Sequence, residues 1–172
     1  MFFPFHKQPE GIDDGFTCLQ MIAHYYGRFY PLEKLWKLTS AQRADISFED
    51  IAEVAKKMRF KTVAVKTDWE RLEKDLPLPC IAHWRENHFI VVYKVRKKFV
   101  FVADPISGKF KISAEDFKEG WLNTIQNEKK VGVLLLFERK LSFYLSNNDI
   151  VNSLLLLKNL LAYFKPTKKG YF

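Results

Sequence analysis

The chain has 172 residues, 48% hydrophobic and 16% aromatic, with a formal net charge of +8. That length suits one domain, or one domain with an appendage, and the composition excludes a disordered chain. No apolar run reaches the roughly 18 residues of a membrane span, and the first eight residues are too short and broken for a signal peptide, so the chain is read as starting in the cytoplasm.

Residues 16–27 read as a buried helix, with Phe16, Leu19, Met21, Ile22, Ala23, Tyr25 and Tyr26 apolar and Gly27 as its stop. Residues 32–38 read as a short second helix. Ser47 and Asp50 fit a capping box opening a helix with Ile51, Val54, Ala55 and Met58 on one face. A strand is expected over 60–66, then a short helix over 68–75, stopped by Pro77 and Pro79. Four strand-like runs come next, at 80–84, 88–96, 99–103 and 108–112, with Arg96, Lys97 and Lys98 as a hairpin turn. Ser113 and Asp116 fit a second capping box, and its helix ends near Trp121. The apolar run 131–138 reads as a central strand. Helices first and an antiparallel sheet after is an α+β order.

Residues 1–140 are assigned to this domain. Residues 141–148 have linker character. Residues 149–172 hold an amphipathic run ending in Lys165, Lys168 and Lys169, which fits either a helix along a membrane interface or an ordinary C-terminal helix docked on the domain. The other basic residues are scattered, with no zinc-ligand spacing and no RNA-binding signature, so nucleic acid is not expected as a partner. Cys18 and Cys80, the two cysteines, lie in apolar surroundings and read as buried, reduced thiols.

Four residues have an order and spacing that chemistry can use. Position 14 opens a helix, where the dipole and free amides stabilise an anion and would depress a thiol pKa. His88 begins one strand and Asp104 ends a neighbouring one, so a hairpin can set them side by side, the acid orienting the imidazole. Gln8, six residues before position 14, can turn its amide toward an oxyanion. Singly, each is more often a surface glutamine, a structural histidine or an Asp-Pro turn; the joint pattern outweighs this.

The set resembles the N-terminal peptidase domains of bacterial peptidase-containing ABC transporters, the papain-like double-glycine leader peptidases. Gln8, the run Asp13-Asp14-Gly15-Phe16-Thr17-Cys18-Leu19, Met21-Ile22 and Tyr26-Gly27 match the family's opening block. Pro79, Ile81, His83-Trp84 and His88 to Val92 match the second block. Asp104-Pro105 with Gly108 matches the family's acid, and Phe117 with Gly120-Trp121 matches the helix after it. The resemblance implies a papain-like fold, N-terminal helices packed on an antiparallel sheet. It also implies a tail leading toward transmembrane and ATPase domains beyond this chain.

One departure matters most. Asp14 stands where the family has its nucleophilic cysteine, and Phe16 replaces a small residue or proline, where it is expected to plug the cleft. Cys18 matches the family's second cysteine and is expected to be inert packing. An aspartic-protease reading fails, because nothing but Asp13 is near enough in sequence to share a proton with Asp14. A carboxylate at position 14 facing His88 is expected to hold the imidazole protonated.

The resemblance therefore implies a degenerate peptidase-like domain of an ABC exporter, engaging an exported peptide or protein through its leader without cutting it. The alternative is an active leader peptidase seen with its nucleophile replaced. Expected partners are the exported substrate and the transporter's own membrane and ATPase domains, as a homodimer at the cytoplasmic face of the bacterial inner membrane. No cofactor or metal is expected in this domain; ATP and magnesium belong to the ATPase domain.

Overall fold

The computed structural model describes residues 2–8, 14–39, 46–85, 88–126 and 128–139, with residue 139 described by its backbone only. The proposed linker at 141–148 and amphipathic segment at 149–172 lie outside them, as do Asp13 and Asn87.

Three helices come first: α1 (Asp14–Tyr25), α2 (Leu32–Trp36) and α3 (Phe48–Lys57). Helix α1 starts two residues earlier than its apolar pattern indicates, so position 14 is itself the first helical residue. It ends in a Schellman turn: Gly27 has φ +86, its N–H donates to the His24 carbonyl, and Arg28 N–H donates to the Ala23 carbonyl. Only glycine adopts that φ without cost. The capping box on α3 forms in full, with Ser47 N–H donating to Asp50 Oδ2 at 2.9 Å and Asp50 N–H to Ser47 Oγ at 3.2 Å.

The remaining elements are β1 (Phe60–Thr67), α4 (Trp69–Lys74), β2 (Cys80–Trp84), β3 (His88–Arg96), β4 (Phe99–Asp104), β5 (Gly108–Ser113), α5 (Ala114–Trp121), β6 (Thr124–Gln126) and β7 (Lys129–Arg139). The sheet runs β1-β7-β2-β3-β4-β5, with β6 paired to β7. The apolar strand β7 is internal, as its composition predicts. Strand β6 has no sequence signature, because Ile125 is exposed and its three residues are held by the hairpin to β7. On α5, Ser113 accepts from Asp116 N–H but remains in the β5 ladder opposite Phe99; Asp116 Oδ2 takes the Ser113 hydroxyl instead.

Strand alternation splits the core. Cys80, Ala82, Trp84, Ile90, Val92, Val100 and Val102 pack with Leu134, Leu72 of α4, and Phe117 and Trp121 of α5. Gly120 and Gly132 permit this: a Cβ on Gly132 would lie 2.1 Å from Trp121, and one on Gly120 would lie 2.8 Å from Trp84. Residues of opposite parity, Ile81, Phe89 and Val91, are buried on the other face, where α1 lies against β2 and β3. The N-terminal residues add to this side, with Phe3 stacked on Tyr93 at 4.7 Å and tilted against Tyr25.

Candidate active site

The N-terminus of α1 points at the start of β3. Asp14 is buried at that end, and its Oδ2 accepts hydrogen bonds from His88 Nδ1 and, at 2.9 Å, from the main-chain N–H of Phe89. The β3–β4 register, Val91 opposite Ala103, brings the end of β4 beside the start of β3. There His88 Nε2 lies 3.1 Å from Asp104 Oδ1. That same oxygen accepts from the N–H groups of Ile106 (2.8 Å) and Ser107 (3.2 Å), which fix the carboxylate in the β4–β5 turn. The turn closes at Gly108, φ +99.

Both imidazole nitrogens therefore face carboxylate oxygens. An ionised carboxylate only accepts, so both nitrogens donate and the ring is imidazolium. Burial by itself lowers the His88 pKa. Hydrogen bonds with Asp104 and then Asp14, together with their charges, more than offset that and raise it to about 9. For Asp104, burial pushes upward, but the His88 bond and the Ile106 N–H hold its pKa below the usual carboxylate value. An imidazolium has no lone pair with which to take a proton, so in this state His88 cannot act as a base.

Gln8 lies on the Asp104 side of the site, because its main-chain N–H donates to the Pro105 carbonyl at 2.9 Å. Cys18 is fully buried one turn along α1, its Sγ 3.4 Å from the Phe89 carbonyl oxygen, and Cys80 is buried in the sheet with its thiol pushed up to about 12. Phe16 does not plug the cleft. It is fully enclosed and packs edge-on against Trp36 of α2, ring centroids 4.7 Å apart, so it belongs to the helical core.

Two features escape a reading of the sequence. The Phe89 N–H that holds Asp14 is a main-chain donor, with no side-chain signature. An aromatic cluster of Phe48, His83 and Phe89 stands close to Asp14; burial lowers the His83 pKa, and the Asp14 charge opposes this only in part. The paired His83-Trp84 in the second sequence block was the available hint.

A helix presenting position 14 at its N-terminus, packed on an antiparallel sheet that supplies a histidine and an acid, defines the papain-like peptidase class. The chain belongs to the peptidase C39 family, whose model matches residues 3–129. It is 31% identical over 125 residues to the lactococcin-G-processing and transport ATP-binding protein LagD of Lactococcus lactis subsp. lactis, covering 69% of this chain and 18% of that protein. It is 26% identical over 159 residues to the probable microcin-H47 secretion/processing ATP-binding protein MchF of Escherichia coli, covering 92% of this chain and 22% of that one. The chain thus spans about a fifth of the length of these curated relatives. Among solved structures, a double glycine motif protease from an AMS/PCAT transporter, in complex with the leader peptide, superposes with TM-score 0.70 at 26% identity, covering 80% of this chain and 91% of that one. The peptidase domain of Streptococcus ComA superposes with TM-score 0.70 at 24% identity, covering 81% of this chain and all of that one (100%), and supports the fold alone.

Proposed function

We propose that this chain is the peptidase-like domain of an ABC exporter that engages a leader-bearing peptide or protein and does not cleave it. The observation that carries this reading is the Asp14–His88–Asp104 arrangement. Position 14 offers a carboxylate in place of a thiol, and the one imidazole of the group is held cationic between two acids. Asp14 is a poor nucleophile toward an amide, and the proton acceptor the reaction needs is occupied. In the active form of such a site Gln8 would steady an oxyanion, His88 would be the base and Asp104 its orienting acid; here they are a retained scaffold.

The relatives named as transport and processing ATP-binding proteins support the assignment to an exporter. In this reading the domain acts at the cytoplasmic face of the membrane, beside membrane and ATPase domains, in a homodimeric transporter. The domain itself needs no cofactor. The leader-bound structural neighbour supports a leader peptide as the ligand class.

A second reading has its own observation. His88 and Asp104 keep the pairing an active site needs, which also fits an active peptidase that cleaves leader peptides after a double glycine, seen here with Asp14 in place of its nucleophilic cysteine. Leader peptides ending in a double glycine, incubated with the full chain, separate binding from cleavage: fluorescence anisotropy reads the first and mass spectrometry the second. The proposal expects saturable binding with the peptide intact. Cleavage by the unaltered chain overturns it.

A further inference from the structure

The β3–β4–β5 meander, residues 88–113, carries six cations, Lys94, Arg96, Lys97, Lys98, Lys109 and Lys111, against a single carboxylate, Asp104. That carboxylate is buried against His88. A surplus of five charges thus lies in one meander of a chain whose whole surplus is eight. Among the described residues none of the six cations is held in an ion pair, although Lys109 Nζ also donates to the Phe3 main-chain carbonyl at 2.9 Å. By contrast, Lys57, Lys61 and Lys74 elsewhere are paired with glutamates.

The register puts aromatic rings between these cations. Lys94 pairs with Phe101, which pairs with Lys111; Arg96 pairs with Phe99. Directly opposed residues share a face, and it is the face opposite Val100 and Val102, which are buried toward α5. Lys94 Nζ lies 5.0 Å from the Phe101 centroid, Lys111 Nζ 4.8 Å from that of Phe99, and Lys109 Nζ 4.6 Å from that of Phe2. Phe2 is 83% exposed and Phe99 39%. Lysines that serve only solubility are ordinarily interspersed with acids, whereas this face has one sign of charge and open rings.

We infer that the part of this sheet face left open beyond α1, around Lys94, Phe99 and Lys111, is a docking surface for a bilayer bearing anionic headgroups, with the cations meeting phosphates and Phe2 and Phe99 entering the headgroup–acyl boundary. Charge complementarity selects an anionic occupant, and exposed rings among the cations fit a lipid interface. A bilayer is also the surface that a transporter's domain meets, and to that extent the inference leans on the proposed function. It does not depend on whether the position-14 site cuts.

The test is partition of the full 172-residue chain onto phosphatidylcholine vesicles with and without phosphatidylglycerol, read by flotation. The expected result is binding that needs phosphatidylglycerol and weakens with salt. Replacing Lys94, Lys109 and Lys111 by Gln lowers partitioning on the order of a hundredfold, about fivefold per lysine. The same replacement at Lys56, Lys66 and Lys130, which makes an equal change in net charge on other faces, costs far less. Phe2→Ala costs a few fold with the charge unchanged. Circular dichroism confirms that each variant is folded, and single Lys111→Gln serves if the triple variant is not. Equal binding to uncharged vesicles, equal loss from the control triple, or no loss from the meander variants overturns the inference. So does displacement from the vesicles by poly-glutamate at matched charge concentration, which would make an acidic polypeptide the partner.

Discussion

Asp14 and His88 join helix α1 to strand β3 through one carboxylate oxygen, which takes the His88 Nδ1–H and, at 2.9 Å, the Phe89 N–H. A thiolate at that position would leave Nδ1 beside a sulfur that reacts. The carboxylate turns the same geometry into a static clamp, because Asp104 already holds the other nitrogen.

The clamp has a spectroscopic signature. With both nitrogens held by carboxylates, the His88 ring is expected to titrate at about pH 9, above its ordinary 6.5. Asp14→Asn removes one of the two charges, and the titration falls by about 1–3 pH units. Imidazole carbon shifts in an NMR pH series read this directly; a His88 that titrates at 6.5 in the unaltered chain contradicts the clamp.

The same shift sets how stability varies with pH. The folded pKa of His88, about 9, lies above its ordinary 6.5, so the imidazolium contributes stability that is complete below pH 6.5 and is lost as pH rises through about 9. Asp104 is displaced the other way: its contribution is present above about 3.8 and is lost as pH falls through its lower folded pKa. Urea midpoints measured from pH 6 to 10 are expected to decline across the histidine window, and His88→Gln flattens that decline.

Phe16→Ala tests whether this side chain guards the cleft or fills the core. Fully enclosed against Trp36, its removal leaves a cavity and costs about 3–5 kcal/mol, with no gain in peptide binding. Gly132→Ala probes the opposite strain, driving a methyl into Trp121 at 2.1 Å at a cost of about 1–3 kcal/mol. Thermal melts read both. Peptide affinity that rises in Phe16→Ala supports a plug instead.

Cys18 and Cys80 are both fully buried, and the Cys80 thiol is held near 12. Neither presents a thiolate to solvent at neutral pH. Ellman's reagent is expected to label neither in the native chain and both in urea. Rapid native labelling of Cys18 would make it a second candidate nucleophile, which its contact with the Phe89 carbonyl argues against.

Much of this architecture is legible in local chemistry. Apolar runs mark β2 and β3 to their ends, and serines mark the starts of α3 and α5. Asp14, His88 and Asp104 are legible because each lies at the end of an element, where a short chain pattern fixes position. What was not legible depends on partners distant in sequence. The apolar period of α1 begins only at Phe16, so its first turn is marked by the position-14 pattern and not by hydrophobicity; strand β6 exists only through β7, and the Phe89 donor is main chain. Phe16 misleads for the same reason: its neighbour Trp36 is twenty residues away, and nothing local says which side of α1 meets it.

The most direct test of the central claim is Asp14→Cys, assayed against the unaltered chain on double-glycine leader peptides. A sulfur at the end of α1, with His88 released from one carboxylate and still oriented by Asp104, is expected to cut, while the unaltered chain binds the same peptides and leaves them whole. An inert variant would mean that the site has degenerated beyond its nucleophile, and cleavage by the unaltered chain would contradict the account at its root.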